Sequence, residues 1–175
     1  MKRIKKLIFH SILIIFLLFI FYYFGGYYFS KEQCIKEILR GHYATENDTI
    51  MDFENKPYSM TLVADMKNKT ASLIGTRKIG FLYHAASSSL SHRISEDTQM
   101  SISGTYNSDI GLVVFIYRND KSIEKVEVSL NDGTTLILDD WIRDFTGFIL
   151  DIPRPTQGTY KAYDASHRLI FKGTY

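Results

Sequence analysis

The sequence predicts a mostly β protein with an N-terminal transmembrane helix, a short juxtamembrane helix and a single antiparallel β-sandwich or barrel-like domain. Three observations predict this fold class. An uncharged apolar stretch runs from Leu7 to Phe24. Apolar residues then follow at helical spacing over residues 31–40. From residue 48 onward, short strand-like segments recur about every 8–12 residues with turn residues between them, a pattern typical of sandwiches and barrels.

The stretch from Leu7 to Phe24 has the length and composition of a membrane-spanning helix. Fourteen of its eighteen residues are Leu, Ile or Phe, and none carries a formal charge. At a rise of about 1.5 Å per residue the helix is about 27 Å long, close to the ~30 Å hydrocarbon core of a bilayer. A secretory signal has a shorter apolar region and a small-x-small cleavage site, which does not follow here. We predict an uncleaved signal anchor over residues 7–29, with a cleaved, secreted protein as the alternative.

Charged and aromatic residues on either side of this stretch predict its orientation. Four basic residues precede it: Lys2, Arg3, Lys5 and Lys6. Positively charged flanks stay in the cytoplasm, so residues 1–6 are predicted to form a cytoplasmic tail. Four tyrosines at the other end are predicted to form an aromatic belt at the outer interface: Tyr22, Tyr23, Tyr27 and Tyr28. The lipid bilayer is thus the predicted partner of residues 7–29, in a single-pass protein of the cell membrane whose residues 30–175 lie outside.

The composition of the outer part limits what it binds. About 145 residues are enough for one domain with a hydrophobic core. The chain has a net charge of +2, and leaving out the four basic residues before Leu7 gives the outer part a charge of −2. This balance argues against nucleic acid as a partner, because phosphate contacts need a basic face. The single cysteine excludes an intramolecular disulfide, which is compatible with a bacterial cell envelope.

The first element of the outer part is a predicted helix over residues 31–40. Ser30 and Gln33 have the spacing of a capping box, in which a hydroxyl at the N-cap accepts from a backbone N–H three residues on. Gly41 supplies a stop. A stripe of apolar residues is predicted to pack on the domain: Ile35, Ile38 and Leu39.

The strands are predicted from alternation and from turn residues. Gly111–Tyr117 is continuously apolar, as expected of a strand covered on both faces. Asn131-Asp132-Gly133 predicts a hairpin between Ile123–Leu130 and Leu136–Leu138, since Asp-Gly tolerates positive φ. Met60, Leu62, Ala64 and Met66 are predicted to face one way. The other predicted strands are Thr70–Thr76, Met100–Tyr106, Phe145–Ile152 and a terminal hairpin of Thr159–Tyr163 with Arg168–Lys172.

A serine-rich segment supplies the candidate for nucleophilic catalysis. Serines cluster in the loop Ser87–Ser91, between His84 and His92, and Glu96 or Asp97 could orient a histidine base. No G-x-S-x-G elbow is present, however, and sequence proximity is not triad geometry. A polar loop between strands is the favoured interpretation.

The remaining candidates are acidic, histidine and cysteine residues. Four carboxylates around Trp141 offer oxygen ligands for calcium, namely those of Asp139, Asp140, Asp144 and Asp151. Their spacing matches no calcium-binding loop motif. The histidines at 42, 84, 92 and 167 are dispersed and lack a zinc-site spacing. Cys34 follows Lys31-Glu32-Gln33 rather than the small residues of a lipoprotein signal. It is predicted to contact Ile38, with an intermolecular disulfide as the alternative.

These observations designate no catalytic, cofactor-binding or metal-binding residue, and they leave three hypotheses of function. The leading one is a non-enzymatic β domain, anchored in the membrane, that binds a protein or polymer of the cell envelope. The second is an envelope hydrolase that uses the loop of residues 84–97. The third is a small accessory or immunity subunit that pairs with a larger membrane protein through the anchor, although small-residue packing motifs are missing from Leu7–Phe24.

Overall fold

Both predicted helices and a series of antiparallel strands are present in the computed structural model, which describes residues 2–41, 48–87, 91–152 and 156–174. The helices are α1 (Lys2–Gly25) and α2 (Lys31–Gly41). The strands are β1 (Tyr27–Tyr28), β2 (Asp48–Asn55), β3 (Tyr58–Asp65), β4 (Thr70–Ile79), β5 (Leu82–Ser87), β6 (Ser91–Arg93), β7 (Met100–Asn107), β8 (Gly111–Arg118), β9 (Lys125–Leu130), β10 (Thr135–Leu138), β11 (Phe145–Leu150), β12 (Gly158–Tyr163) and β13 (Leu169–Thr174). The protein is therefore mostly β, as the sequence predicts.

The described strands form three antiparallel sheets. The large sheet has the order β1-β5-β4-β3-β2, with β6 also paired to β4. The middle sheet has the order β11-β8-β7, and the C-terminal sheet has the order β10-β9-β12-β13. Neighbouring strands are mostly consecutive in the chain, because short turns favour hairpin connections.

The first core cluster joins the large sheet to one face of the middle sheet. Its buried members are Ile50, Phe53, Met60, Leu62, Ala64, Ala71, Leu73, Ile94, Ile110, Val113, Phe115, Tyr117 and Phe145. Met60, Leu62 and Ala64 share one face of β3, as the alternation predicts, and all three are buried in this cluster. Met66 does not continue that face, because β3 ends at Asp65 and the exposed Met66 begins the turn into β4.

The second core cluster joins the other face of the middle sheet to the C-terminal sheet. Its buried members are Met100, Leu112, Val114, Ile116, Ile123, Val126, Val128, Leu130, Phe148 and Ala162. Successive residues of β8 point to opposite faces, so this one strand contributes alternately to both clusters. The prediction that Gly111–Tyr117 is covered on both faces is confirmed.

Helix α2 covers the outer face of the large sheet. The hydroxyl of Ser30 accepts a hydrogen bond from the N–H of Gln33 at 3.1 Å, which confirms the predicted N-cap. Ile35 is buried against Val63 and Ile74, and the other members of the predicted stripe, Ile38 and Leu39, pack on this group.

The predicted hairpins are also present. β9 pairs with β10 across a turn in which Gly133 has φ +91°, the left-handed region that glycine tolerates. The terminal hairpin is formed by β12 and β13. Of the predicted serine loop, residues 88–90 lie outside the described residues, while its ends belong to β5 and β6.

Helix α1 leads directly into the large sheet. Gly26, with φ +66°, turns the chain, and β1 then pairs with β5 so that Tyr27 lies opposite His84. Among the described residues, neither helix combines the length and the hydropathy that a membrane crossing requires. The membrane-spanning role of residues 7–29 stays a prediction.

Candidate functional site

The two histidines that flank the serine segment lie far apart. His84 on β5 is opposite Arg77 of β4, and His92 on β6 is opposite Ala71. Arg77 and Ala71 are six positions apart on β4, a distance of about 20 Å along an extended strand. The rings also have different surroundings, since that of His84 lies 5.0 Å from the ring of Tyr27 and that of His92 lies 5.8 Å from the ring of Phe115.

The surroundings of His92 keep it neutral rather than activating it. Burial lowers the pKa of its imidazole below the ordinary value. Within the described part of the chain, its buried Nε2 has no hydrogen-bond partner. Glu96 lies 3.2 Å from the ammonium of Lys69, and Asp97 is exposed. Ser88 and Ser89 lie outside the described residues, so the predicted serine–histidine arrangement cannot be located on the fold.

The carboxylates around Trp141 are dispersed among different partners. Asp144 forms a salt bridge with Arg118, 3.2 Å from its Nε, and another with Lys121. Burial alone raises the pKa of Asp144, but hydrogen bonds from Lys121 and Arg118 outweigh it and hold the pKa below the ordinary value. Asp139, Asp140 and Asp151 are exposed. Among the described residues, no three His, Cys, Asp or Glu side chains are grouped closely enough to hold a metal ion.

The last candidates from the sequence are Cys34 and the two remaining histidines, His42 and His167. Cys34 is fully buried, and this burial raises the pKa of its thiol to about 11. This agrees with the predicted apolar role in α2 and leaves the thiol inaccessible for an intermolecular disulfide. His167 is exposed in the turn between β12 and β13, and His42 lies outside the described residues.

A cleft of about 530 Å³ lies where α2 begins and the turns between β2 and β3 and between β4 and β5 meet. We call it the lysine cleft, after Lys31, Lys56 and Lys78; Glu54, Tyr58 and Tyr83 also line it. The turn between β2 and β3 is joined to the end of β4 by a hydrogen bond of 2.9 Å from the N–H of Lys78 to the carbonyl of Pro57. Nearby, the hydroxyls of Ser59 and Thr76 are 2.9 Å apart across β3 and β4.

The lysine cleft has a small excess of positive charge, because three lysines line it against one carboxylate, that of Glu54. Lys31 is neutralised by Asp52, whose Oδ1 lies 2.8 Å from its Nζ. The salt bridges of the described residues leave Lys56 and Lys78, both exposed, without a carboxylate partner. The ammonium of Lys78 lies 5.7 Å from the centre of the Tyr83 ring, a cation–π distance that holds it at the rim. Two ammonium groups beside aromatic walls are suited to an anionic group such as a phosphate.

No pattern in the sequence predicted the lysine cleft. Its lining residues come from three separate segments, which share no spacing or motif. One local signal was present, since the segment Lys78-Ile79-Gly80-Phe81 places two large apolar residues at a glycine turn, where polar residues are usual.

No protein-family model, no curated protein and no solved structure matches this chain.

Proposed function

We propose that this protein is a single-pass membrane protein, N-terminus in the cytoplasm, whose layered β domain lies outside and binds a protein or polymer of the cell envelope. Helix α1 is the anchor in this proposal. The β domain acts by binding rather than by catalysis.

The observation that carries the proposal is the exposure of α1 on every side. Eight consecutive apolar residues, from Ile12 to Phe19, are all more than 40% exposed. Eight residues make more than two turns, so every face of this part of the helix is exposed. No residue of α1 belongs to the buried clusters of the described chain. A helix that is apolar all round requires an apolar surrounding, and a lipid bilayer supplies one.

The flanks of α1 support the proposed orientation. The basic residues Lys2, Arg3, Lys5 and Lys6 precede the apolar stretch, and a positively charged flank is retained in the cytoplasm. Tyr22, Tyr23, Tyr27 and Tyr28, at the other end, supply amphipathic rings of the kind enriched at a membrane interface.

Protease protection in intact cells tests the anchor and its orientation. The full chain would carry a C-terminal epitope tag, and added protease should remove the tag from intact cells while the protein sediments with membranes after alkaline extraction. A cytoplasmic protein serves as the control and should be cut only after lysis. A tag that survives in intact cells and is lost on lysis contradicts the orientation, and release by alkaline extraction contradicts the anchor.

Affinity capture tests the binding role. The full chain, solubilised in mild detergent, should retain a specific protein or polymer from membrane and wall fractions. The control is an unrelated outer domain fused to the same α1, because it separates binding by the β domain from binding by the anchor. Identical recovery from the two proteins contradicts a binding role for the β domain.

A further inference from the structure

An exposed apolar ridge lies beside the lysine cleft. It consists of Phe29, Ile79 and Phe81, which are 62%, 42% and 72% exposed. The rings of Phe29 and Phe81 are stacked, with centroids 6.3 Å apart and an interplanar angle of 12°. Phe29, between β1 and α2, and Phe81, at the tip of the hairpin of β4 and β5, therefore present apolar surface side by side.

The apolar ridge is continuous with the last turns of α1. The ring of Phe29 also stacks on Tyr22 of α1, with centroids 4.7 Å apart. Tyr22 precedes the end of α1 by three residues, about 4.5 Å along the helix axis. Measured along the axis of α1, Phe29 therefore lies level with the final turn of the helix rather than beyond its end. Phe81, stacked on Phe29, lies farther from the helix axis at the same level.

Positive charge adjoins the apolar ridge. Lys78 immediately precedes Ile79, and Gly80 of the same turn lines the lysine cleft. Lys56 lies across the cleft and, like Lys78, has no carboxylate partner among the described residues. Apolar side chains flanked by exposed lysines are the pattern of segments that enter a membrane interface, where the lysines meet lipid phosphates.

We propose that the apolar ridge inserts into the bilayer interface beside α1, and that Lys56 and Lys78 contact the phosphates of anionic phospholipids. This inference rests on the proposed function, because it needs α1 to be in the membrane. The domain then has two attachments, a helix that crosses the bilayer and a hairpin tip that lies in its surface. The large sheet faces the membrane at this edge, and its tilt is fixed by the two attachments together.

Probes on the full chain in vesicles test the insertion. The native thiol is removed by Cys34→Ala, and single cysteines are introduced by Phe81→Cys in the apolar ridge, Ile14→Cys in α1 or Ile137→Cys in β10. Ile137 is 61% exposed and lies on the C-terminal sheet, so it is the matched control away from the ridge. Each variant carries an environment-sensitive fluorophore in phosphatidylcholine vesicles with phosphatidylglycerol, and quenching by spin-labelled lipids is measured.

The three probes separate this inference from the anchor proposal. We expect quenching at positions 14 and 81 and none at 137. Quenching at 14 without quenching at 81 overturns the inserted ridge and leaves the anchor intact. Absence of quenching at 14 contradicts the anchor itself. A blue-shifted but unquenched probe at 81, together with disulfide-linked dimers of Phe81→Cys, shows that a second copy covers the ridge and also overturns the inference.

A charge variant tests the lipid contact. Lys56→Gln combined with Lys78→Gln should lower quenching at position 81 in anionic vesicles to the value found in pure phosphatidylcholine. The matched control, Lys67→Gln with Lys172→Gln, makes the same charge change at exposed lysines outside the cleft and should leave the quenching unchanged. Equal quenching in the two double variants overturns the proposed contact with anionic phosphates.

Discussion

Asp65 is the one carboxylate that is buried in the described chain, and its position explains why it stays charged. Its Oδ1 accepts hydrogen bonds from the N–H groups of Lys67 at 3.1 Å and Asn68 at 3.0 Å, and its Oδ2 accepts from the Asn68 side chain at 2.6 Å. The backbone and side-chain hydrogen bonds from Asn68 are the main reason that the pKa of Asp65 is lowered. The carboxylate thereby organises the turn between β3 and β4.

Protonation of Asp65 should destabilise the fold in acid. Because its pKa is lower in the folded state than the ordinary ~3.9 of the unfolded state, its stabilisation is complete above about pH 4 and is lost as the pH falls through the folded pKa. Asp65→Asn puts an amide donor opposite the Asn68 donor, so we expect a loss of about 1–3 kcal/mol at neutral pH. The free energy of unfolding of Asp65→Asn should also fall less steeply below pH ~4 than that of the wild type.

Urea unfolding at neutral and acidic pH measures this effect, with fluorescence of Trp141, the single tryptophan, as the signal. Asp97→Asn is the control, since Asp97 is exposed in the bend after β6, and its stability should match the wild type. A wild-type pH dependence in Asp65→Asn would show that other groups control acid unfolding.

Cys34 should be inert in the folded protein. A pKa raised from 9.0 to about 11 lowers the thiolate fraction near neutral pH by a factor of about 100, and full burial adds a steric barrier. We expect maleimide to label the native protein at least about 100-fold more slowly than the urea-unfolded protein. Non-reducing electrophoresis should show a monomer, and rapid labelling or a disulfide-linked dimer would contradict the packing of α2.

Single elements show how far the sequence predicts the fold. The N-cap at Ser30, the stripe of α2 and the Asp-Gly hairpin each depend on neighbours in the chain, and all three are confirmed. The burial of Val63 was not predicted, because alternation with Leu62 assigns it to a solvated face, and only the packing of α2 on that face covers it. Local patterns predict a helix or strand, but which of its faces is buried depends on packing against residues that are distant in sequence.

The packing of α2 should contribute measurably to stability. Ile35 is 7% exposed and lies against Val63 and Ile74, so Ile35→Ala should lower the free energy of unfolding by about 2–5 kcal/mol. Lys36→Ala changes an exposed neighbour in the same helix and should change it by less than about 0.5 kcal/mol. Urea unfolding of the full chain in mild detergent compares the two, and equal effects would mean that α2 is not packed on the large sheet.

At the scale of the whole molecule, the lysine cleft shows why the candidate site could not be predicted. Lys31, Lys56 and Lys78 meet only because α2 packs beside the ends of β2 and β4, and neither arrangement is encoded in a local motif. The histidines around the serine segment are the opposite case. His84 and His92 are close in sequence, which suggested a site, but they pair with different parts of β4 and lie apart in the fold.

The two core clusters meet in the middle sheet, so we expect the β domain to unfold as one cooperative unit. Because β8 belongs to both clusters, loss of packing on one face should weaken the other. Leu62 is fully buried in the first core cluster, whereas Trp141 packs on the second. Leu62→Ala should lower the free energy of unfolding by about 2–5 kcal/mol. Trp141 fluorescence should report this loss although the tryptophan lies in the other cluster.

Unfolding transitions that coincide when followed by two different signals distinguish one cooperative unit from two. In Leu62→Ala, urea unfolding followed by Trp141 fluorescence and by far-ultraviolet circular dichroism should shift together to a lower midpoint. Met66→Ala, at an exposed position after β3, is the control and should leave both midpoints unchanged. An unshifted Trp141 transition beside a two-step dichroism curve would show that the large sheet unfolds separately, and that the middle sheet does not couple the two clusters.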